Sequence, residues 1–215
     1  KSLPANHPSI GTSYNNIGSL KTLMGDHKCA LGYYHKTRQL QEKSLPSNHP
    51  SLATTFNNLA DAQRNLGNQK VALALYKKSL EIKKKCLGPG HPSLIVTYNN
   101  LGVVHQSMQE HSLAIKSYKR AFEIYQKIFE FQQEKSNSTH PDLAAVHANM
   151  GIAHQSSKEY SSAVESYEQA LRIQEQCLSS NHPDLANIHN SIATAYVAMG
   201  NFEKALEHEQ RTIDI

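Results

Sequence analysis

Apolar residues recur at helical spacing between His49 and Gly90, where they form two amphipathic segments. In the first segment, which follows Pro50, they stand three or four residues apart, at Leu52, Phe56, Leu59, Ala62 and Leu66. Gly67-Asn68 interrupts the pattern. The second segment runs from about Gln69 to Cys86 and carries Ala72, Leu75, Tyr76, Leu80 and Ile82. This periodicity, with a helix breaker between its two halves, predicts a pair of helices joined by a tight turn.

The same pair of segments occurs five times, and each copy begins at a His-Pro dipeptide. Successive dipeptides are 42, 42, 49 and 42 residues apart. A constant spacing of this kind is typical of a repeat array in which each unit packs on its neighbours. The chain is therefore predicted to be all-α, a right-handed superhelical solenoid of antiparallel helix pairs.

The dipeptides divide the chain into one tail and five repeats. Residues 1–6 resemble the end of a repeat and are assigned to the tail of a preceding one. The predicted repeats are residues 7–48, 49–90, 91–139, 140–181 and 182–215. The seven additional residues of the third repeat are expected to lengthen its second helix by about two turns through residues 129–135, before a loop at 136–139. The fifth repeat is expected to be truncated, which suggests a fragment of a longer array.

Two positions of the second helix repeat with little change. A small residue recurs at Ala30, Ala72, Ala114, Ala163 and Ala205, where it allows close helix packing. The aromatic residue four positions later is Tyr34, Tyr76, Tyr118 and Tyr167, and the fifth repeat has Glu209 instead. At the start of the first helix, Pro50 fits the first helical position, so that His49 or Asn48 is predicted near the N-cap.

Composition narrows the range of functions. The three cysteines are widely spaced, which favours buried, reduced thiols in the cytoplasm over a disulfide framework. No apolar run approaches the roughly 20 residues that span a bilayer. The net charge is +10 for residues 1–139 and −6 for residues 140–215. Such polarity suggests either a polar partner or end-to-end contact between copies, although solvated surfaces would give the same pattern.

Other candidate chemistry is weaker. The five His-Pro histidines lie one repeat apart, too far to share a metal ion. His105, His147, His154 and His189 fall in first helices and are expected to pack like aromatic residues. The lysine run of residues 77–85 is expected on a solvated surface, without nucleic acid. No phosphate loop, nucleophile elbow or carboxylate pair is present, so that neither catalysis nor a cofactor is predicted.

The repeat motif resembles a known family. Paired helices with Leu-Gly or Leu-Ala in the first, and an alanine and an aromatic residue in the second, are similar to tetratricopeptide repeats. The 42-residue form resembles the repeats of kinesin light chains, on the strength of His49-Pro50, Asn57-Asn58-Leu59-Ala60, Leu80-Glu81-Ile82 and Cys86 to Pro92. No heptad segment for pairing with a kinesin heavy chain is present.

The resemblance implies a concave groove lined by the first helices, in which asparagines hold the main chain of a bound peptide. A carboxamide both donates and accepts hydrogen bonds, as does each residue of an extended peptide. The candidates are Asn16, Asn58, Asn100 and Asn149, together with Asn15, Asn57, Asn99 and Asn190. The first four are favoured, although one asparagine of each pair could instead bond to the next repeat. Further groove candidates, one or two turns on, are Arg64, Gln106, Ser19, Asp61, Val103, Ile152, Thr194, Thr22 and Gln155.

Three functions remain open at this point. The first is a module that binds an extended protein or peptide segment, as adaptors and scaffolds do. The second is an architectural spacer that associates weakly with its own copies through oppositely charged ends. The third is a regulatory segment of a larger enzyme.

Overall fold

The computed structural model describes residues 8–132 and 141–215. These residues form α-helices joined by short turns, and no strand occurs among them. The helices are α1 Pro8–Leu23, α2 His27–Ser44, α3 Pro50–Asn65, α4 Gln69–Leu87, α5 Ser93–Ser107, α6 His111–Gln132, α7 Pro141–Ser156, α8 Tyr160–Cys177, α9 Pro183–Ala198 and α10 Phe202–Asp214. The predicted all-α class and paired helices are confirmed.

The chain divides into two compact units. Unit 1 extends to Met108 and contains α1 to α5, whereas unit 2 runs from Gln109 to Ile215 and contains α6 to α10. Within each unit every helix packs against the helix before it and the helix after it. The first helices α1 and α3 also contact each other directly. This order of contacts is typical of stacked helix pairs.

The prolines of the His-Pro pairs begin α1, α3, α7 and α9, whereas α5 begins one residue later, at Ser93. His49 is the N-cap of α3, where its Nδ1 accepts a hydrogen bond from the backbone N–H of Ser51 at 3.2 Å. His182 caps α9 in the same way, with Asp184 as the donor. These imidazoles satisfy N–H groups that the helix leaves unpaired.

The repeated alanine and tyrosine form the centre of each helix pair. Ala72 and Tyr76 are completely buried, and the tyrosines of the other repeats are buried with them. At Gly151 the first helix approaches so closely that an added Cβ would lie 2.5 Å from the ring of Tyr167. Glu209, which replaces the tyrosine in α10, is exposed. The small residues therefore permit the close packing that the sequence predicted.

Some expectations are corrected or fall outside the described residues. The described part of α6 reaches Gln132, which makes it longer than α4; the rest of the predicted extension, the 136–139 loop and the 1–6 tail lie outside the described residues. The expectation of buried thiols is wrong, because Cys29 and Cys177 are exposed and Cys86 is half-buried. Both exposed cysteines lie on second helices, away from the helix-pair interior.

Candidate functional site

Unit 1 joins its first helices through asparagine side chains. Asn58 Nδ2 of α3 donates a hydrogen bond to Asn15 Oδ1 of α1 at 2.9 Å. Asn100 Nδ2 of α5 donates to Asp61 Oδ1 of α3 at 3.3 Å. Each bond connects the first helix of one repeat to the first helix of the repeat before it. We call Asn15, Asn57, Asn58, Asp61 and Asn100 the asparagine network.

Asp61 is the shared acceptor of this network. Its Oδ2 accepts from Asn57 Nδ2 at 3.1 Å, and its Oδ1 accepts from the Tyr76 hydroxyl at 2.5 Å. Arg64 lies 3.6 Å from the same carboxylate. Burial raises the pKa of Asp61, while the Tyr76 hydrogen bond and the Arg64 charge act in the opposite direction. The predicted groove cation, Arg64, is therefore paired with Asp61.

Asn57 is also hydrogen-bonded to the next first helix, α5, which is in turn bonded to the second helix α4. Its Oδ1 accepts a hydrogen bond from Thr97 Oγ1 at 3.5 Å. Thr97 in turn accepts from Lys83 Nζ at 2.7 Å, and Lys83 also donates to the Ser93 carbonyl. Burial lowers the pKa of Lys83. The lysine run is thus not a purely solvated surface, since Lys83 is half-buried and hydrogen-bonded.

The remaining predicted residues of the α1 and α5 helices are placed differently. Asn16 is exposed, whereas its neighbour Asn15 takes part in the network. Asn99 and Gln106 are half-buried on α5. Which asparagine of a pair bonds to the neighbouring repeat therefore differs from one repeat to the next.

Unit 2 has a different first-helix surface. A cavity of about 450 Å³ lies between α7 and α9, and it is lined by Ile152, Gln155, Asn190 and Thr194, together with Tyr167 from α8. The Tyr167 hydroxyl donates a hydrogen bond to Gln155 Oε1 at 2.8 Å. Burial raises the pKa of Tyr167 to about 12, so that it remains a donor at neutral pH. Asn149, on the same helix as Gln155, is half-buried.

Tyrosine hydroxyls are the site component that sequence reasoning missed. Tyr76 and Tyr167 were identified from the sequence as a recurring aromatic position, with no role for the hydroxyl. Each hydroxyl donates a hydrogen bond to a polar side chain on the first helix, Asp61 or Gln155. Tyr34 does the same through Thr22, whose Oγ1 lies 3.2 Å from its hydroxyl. The available signal was the recurrence of tyrosine, rather than phenylalanine, at this position.

Metal and membrane sites gain no support. In the described part of the chain, no three His, Cys, Asp or Glu side chains are grouped so that they could hold a metal ion. Two of the first-helix histidines pack as aromatic residues do, His147 against Phe122 and His189 against His208. His154 differs, because its Nδ1 lies 2.7 Å from Glu159 Oε2. None of the helices in the two described ranges combines the length and apolar character needed to cross a membrane.

The repeats and their helix pairs define the class of protein. The tetratricopeptide repeat model matches residues 9–85, 70–127, 121–176 and 142–215. Because these matches extend over nearly the whole chain, it belongs to the tetratricopeptide repeat family. Proteins of this family are generally non-enzymatic scaffolds for protein–protein interaction.

Solved structures confirm the resemblance to kinesin light chains. The chain is similar to a putative kinesin light chain of Podosopora anserina with nearly identical repeats, at 26% identity and a TM-score of 0.80, over 97% of this chain and 95% of that one. BtubC (BKLC) from P. vanneervenii gives 22% identity and 0.79, over 96% and 80%. MamA from Desulfovibrio magneticus RS-1 gives 14% and 0.70, over 99% and 96%. The last two show the fold alone. A comparison with curated proteins gave no match.

Proposed function

We propose that the first-helix side chains bind an extended peptide segment of a partner protein. The observation that supports this proposal is the asparagine network of unit 1, in which half-buried amides form one hydrogen bond from α3 to α1 and one from α5 to α3. A peptide main chain presents a donor and an acceptor in every residue. Side-chain amides also carry both donors and acceptors, so that a row of them can pair with the N–H and C=O groups of the peptide.

The network leaves hydrogen-bonding capacity for a ligand. A carboxamide has two N–H donors and an oxygen with two lone pairs. Asn58 uses one N–H on Asn15, which leaves its second N–H and its oxygen for a peptide. Because the existing bond already orients the side chain, less conformational entropy is lost on binding than with a mobile asparagine.

The spacing of the helices suggests the spacing of the peptide contacts. Packed helices lie about 8–10 Å apart, and an extended chain rises about 3.3 Å per residue. Roughly every third peptide residue would then meet the next first helix. Because Asp61 and Arg64 are paired within the network, the amides rather than a cluster of cations would hold the peptide.

A peptide-display selection tests this function. We expect the 215-residue chain to enrich a shared motif and the Asn58→Ala/Asn100→Ala variant to bind the selected peptide at least tenfold more weakly, a change of about 1.4 kcal/mol. Asn65→Ala is the matched control, because Asn65 is an exposed asparagine on α3 outside the network. Thermal unfolding checks that each variant is folded. Equal affinity in the double variant and the control would contradict the proposal.

Weak self-association is the second candidate, and the opposite charges of the two units favour it. Unit 1 carries 13 Lys and Arg against 4 Asp and Glu, while unit 2 carries 9 against 14. Contact between unit 1 of one copy and unit 2 of another would be attractive. Light scattering should then show a mass that falls as salt rises, because salt screens exposed charges beyond about 8–10 Å. A monomer at low salt would rule it out.

A further inference from the structure

The exposed side of the second helix α4 is strongly basic. The helix carries six lysines against one glutamate, and five of the lysines are exposed. We call these five the lysine surface, which consists of Lys70, Lys77, Lys78, Lys84 and Lys85. Within it, Lys70, Lys77 and Lys84 stand seven residues apart, so that they form one row along the helix, with about 10.5 Å between successive positions.

Unit 2 has acidic residues at two of the same repeat positions. Glu168 and Glu175 of α8 stand where α4 has Lys77 and Lys84. At the other positions of the lysine surface, α8 has the uncharged residues Ser161, Gln169 and Gln176. The whole of α8 carries three glutamates against one arginine. Five positive charges of α4 are thus replaced in α8 by two negative charges at equivalent positions of the repeat.

Most of these charges have no strong partner within the chain. Among residues 8–132 and 141–215, Lys70, Lys77 and Glu175 form no ion pair. Glu168 lies 4.0 Å from Arg172, at the outer limit of an ion pair. The basic row of α4 and the two glutamates of α8 are therefore available to a partner of opposite charge.

The equal spacing of the two sets of charges favours their pairing with each other. Glu168 and Glu175 are seven residues apart, as are Lys77 and Lys84, so that each pair spans about 10.5 Å along its helix. Two such helices lying side by side can form both ion pairs at once. A second copy of this chain always presents this spacing, whereas an unrelated acidic segment has no reason to share it.

Nucleic acid is a poorer match for the lysine surface. Proteins that bind single strands combine cations with aromatic rings on which the bases stack. Rings beside the lysine surface are already covered by its own lysines. The ammonium of Lys78 lies 4.6 Å from the centre of the Phe56 ring, and that of Lys84 lies 5.4 Å from the centre of the Tyr98 ring. Charge, rather than stacking, is what this surface offers to a partner.

We propose that the lysine surface of α4 docks against Glu168 and Glu175 of α8 in a second copy of this chain. The inference rests on the weak self-association proposed above, and it names the two contact surfaces. Arg172 and Arg211 line the same depression as the two glutamates, so that they reduce the negative charge there. Exposed ion pairs are also individually weak. The contact should therefore form at low salt and be lost as salt screens the charges.

An exchange of charges between the two helices tests the contact. The Lys77→Glu/Lys84→Glu variant makes this part of α4 acidic, like α8. The Glu168→Lys/Glu175→Lys variant makes this part of α8 basic, like α4. In light scattering at low salt, the unsubstituted chain should have a mass above that of a monomer, and each variant alone should be monomeric. An equimolar mixture of the two variants should regain the larger mass, because the α4 of each variant then meets an α8 of opposite charge in the other.

Net charge alone would give a different result. The net charge is +4 for the unsubstituted chain, and each double reversal changes it by 4, to 0 in the lysine variant and +8 in the glutamate variant. A protein without net charge generally associates more readily, so that a monomeric lysine variant would indicate a specific contact. Lys116→Glu/Lys158→Glu is the matched control, because it makes the same change of charge at exposed lysines outside the lysine surface, and it should still associate. Thermal unfolding checks that each variant is folded.

The outcomes separate this contact from self-association in general. An unsubstituted chain that is monomeric at low salt would overturn both. Salt-sensitive association that persists in both double variants would overturn the contact between α4 and α8, while self-association through other surfaces would stand. A mixture of the two variants that stays monomeric would also overturn the contact, and would leave the lysine surface to a different anionic partner.

Discussion

Units 1 and 2 have the same helix-pair interior but different surfaces. Both bury an alanine and a tyrosine of the second helix, as at Ala72 and Tyr76 or Ala163 and Tyr167. On the first helices, however, unit 1 places Asp61 where unit 2 has Ile152 and Thr194. The first unit thereby gains a charged acceptor that joins neighbouring repeats. The repeat thus fixes the residues that pack inside each helix pair, whereas the side chains on the surface differ between the units.

The surfaces formed by the second helices also differ between the two units, and here unit 1 is the more apolar and more tightly packed. In unit 1, Leu75 is packed against the apolar cluster, and Lys78 covers the ring of Phe56. In unit 2, the equivalent Ser166 lines a cavity of about 680 Å³ together with His147. Unit 1 therefore has its more elaborate polar surface on the first helices, and unit 2 has its larger cavity next to the second helices. Substitutions at matched repeat positions can test each difference.

The largest expected effect is at Asp61. Asp61→Ala should lower the free energy of unfolding by about 2 kcal/mol, because it leaves the buried Tyr76 hydroxyl without its acceptor. Thr194→Ala, at the same repeat position in unit 2, should change it by less than about 0.5 kcal/mol, since Thr194 is exposed and bonds to its own helix. Urea unfolding measures both. Asp61→Asn keeps an acceptor oxygen, so its loss of unfolding free energy should lie between those of the other two variants. Equal losses for Asp61→Ala and Thr194→Ala would show that the first-helix position does not contribute differently to stability in the two units.

A smaller effect is expected in the turns between helices. Lys158 has a φ of 62°, at the repeat position where Gly67 of unit 1 has a φ of 82°. A left-handed conformation costs an ordinary residue about 1–2 kcal/mol, so that Lys158→Gly should raise the melting temperature and Gly67→Lys should lower it. No atom lies within 4 Å of a Cβ built on Gly67, which restricts the effect to the backbone. An unchanged melting temperature in both variants would contradict this account.

The smallest effect concerns pH. Burial lowers the pKa of His147, His189 and His208 in unit 2 below the ordinary 6.5, with neighbouring charges such as Arg211 adding to the shift at the last two. The unfolded chain then binds protons more readily, so that this stabilisation is present above pH 6.5 and is lost as the pH falls through the folded pKa values. Between about pH 7 and pH 5, the protection of backbone amides in α7 to α10 against hydrogen exchange, relative to the intrinsic exchange rate at each pH, should fall.

His189→Phe provides the matched test of that pH dependence. Phenylalanine occupies this repeat position in unit 1, as Phe56, and it removes one titrating ring from contact with His208. Over the same pH range, the melting temperature of the variant should fall by less than that of the unsubstituted chain. An identical loss in the two proteins would assign the pH dependence to other groups.

Local patterns of the sequence were sufficient to predict the helices and their ends. The apolar periodicity after Pro50, the break at Gly67 and the capping by His49 all appear in α3 and the turn that follows it. These features depend on residues within about four positions of one another. The alanine and tyrosine positions were also predictable, because at constant spacing all five copies show the alanine and four show the tyrosine.

The candidate site was less predictable. The sequence identified the asparagines, and the structure shows that Asn58 bonds to Asn15, 43 residues earlier, and that Asn100 bonds to Asp61. Whether these side chains bind a peptide stays a prediction. The expectation of buried cysteines was wrong because the average behaviour of a residue type does not specify which side of a helix it occupies.

The sequence alone determined the repeat, the helix pairs, and the small and aromatic residues at their centre, because helical periodicity and turn formation are local properties of the chain. Only the tertiary structure decided that Asp61 is a shared acceptor and that Ser166 and His147 line the same cavity. Both depend on the distances between side chains of different helices. Those distances are set by the packing of whole helices against one another, which no short stretch of sequence specifies.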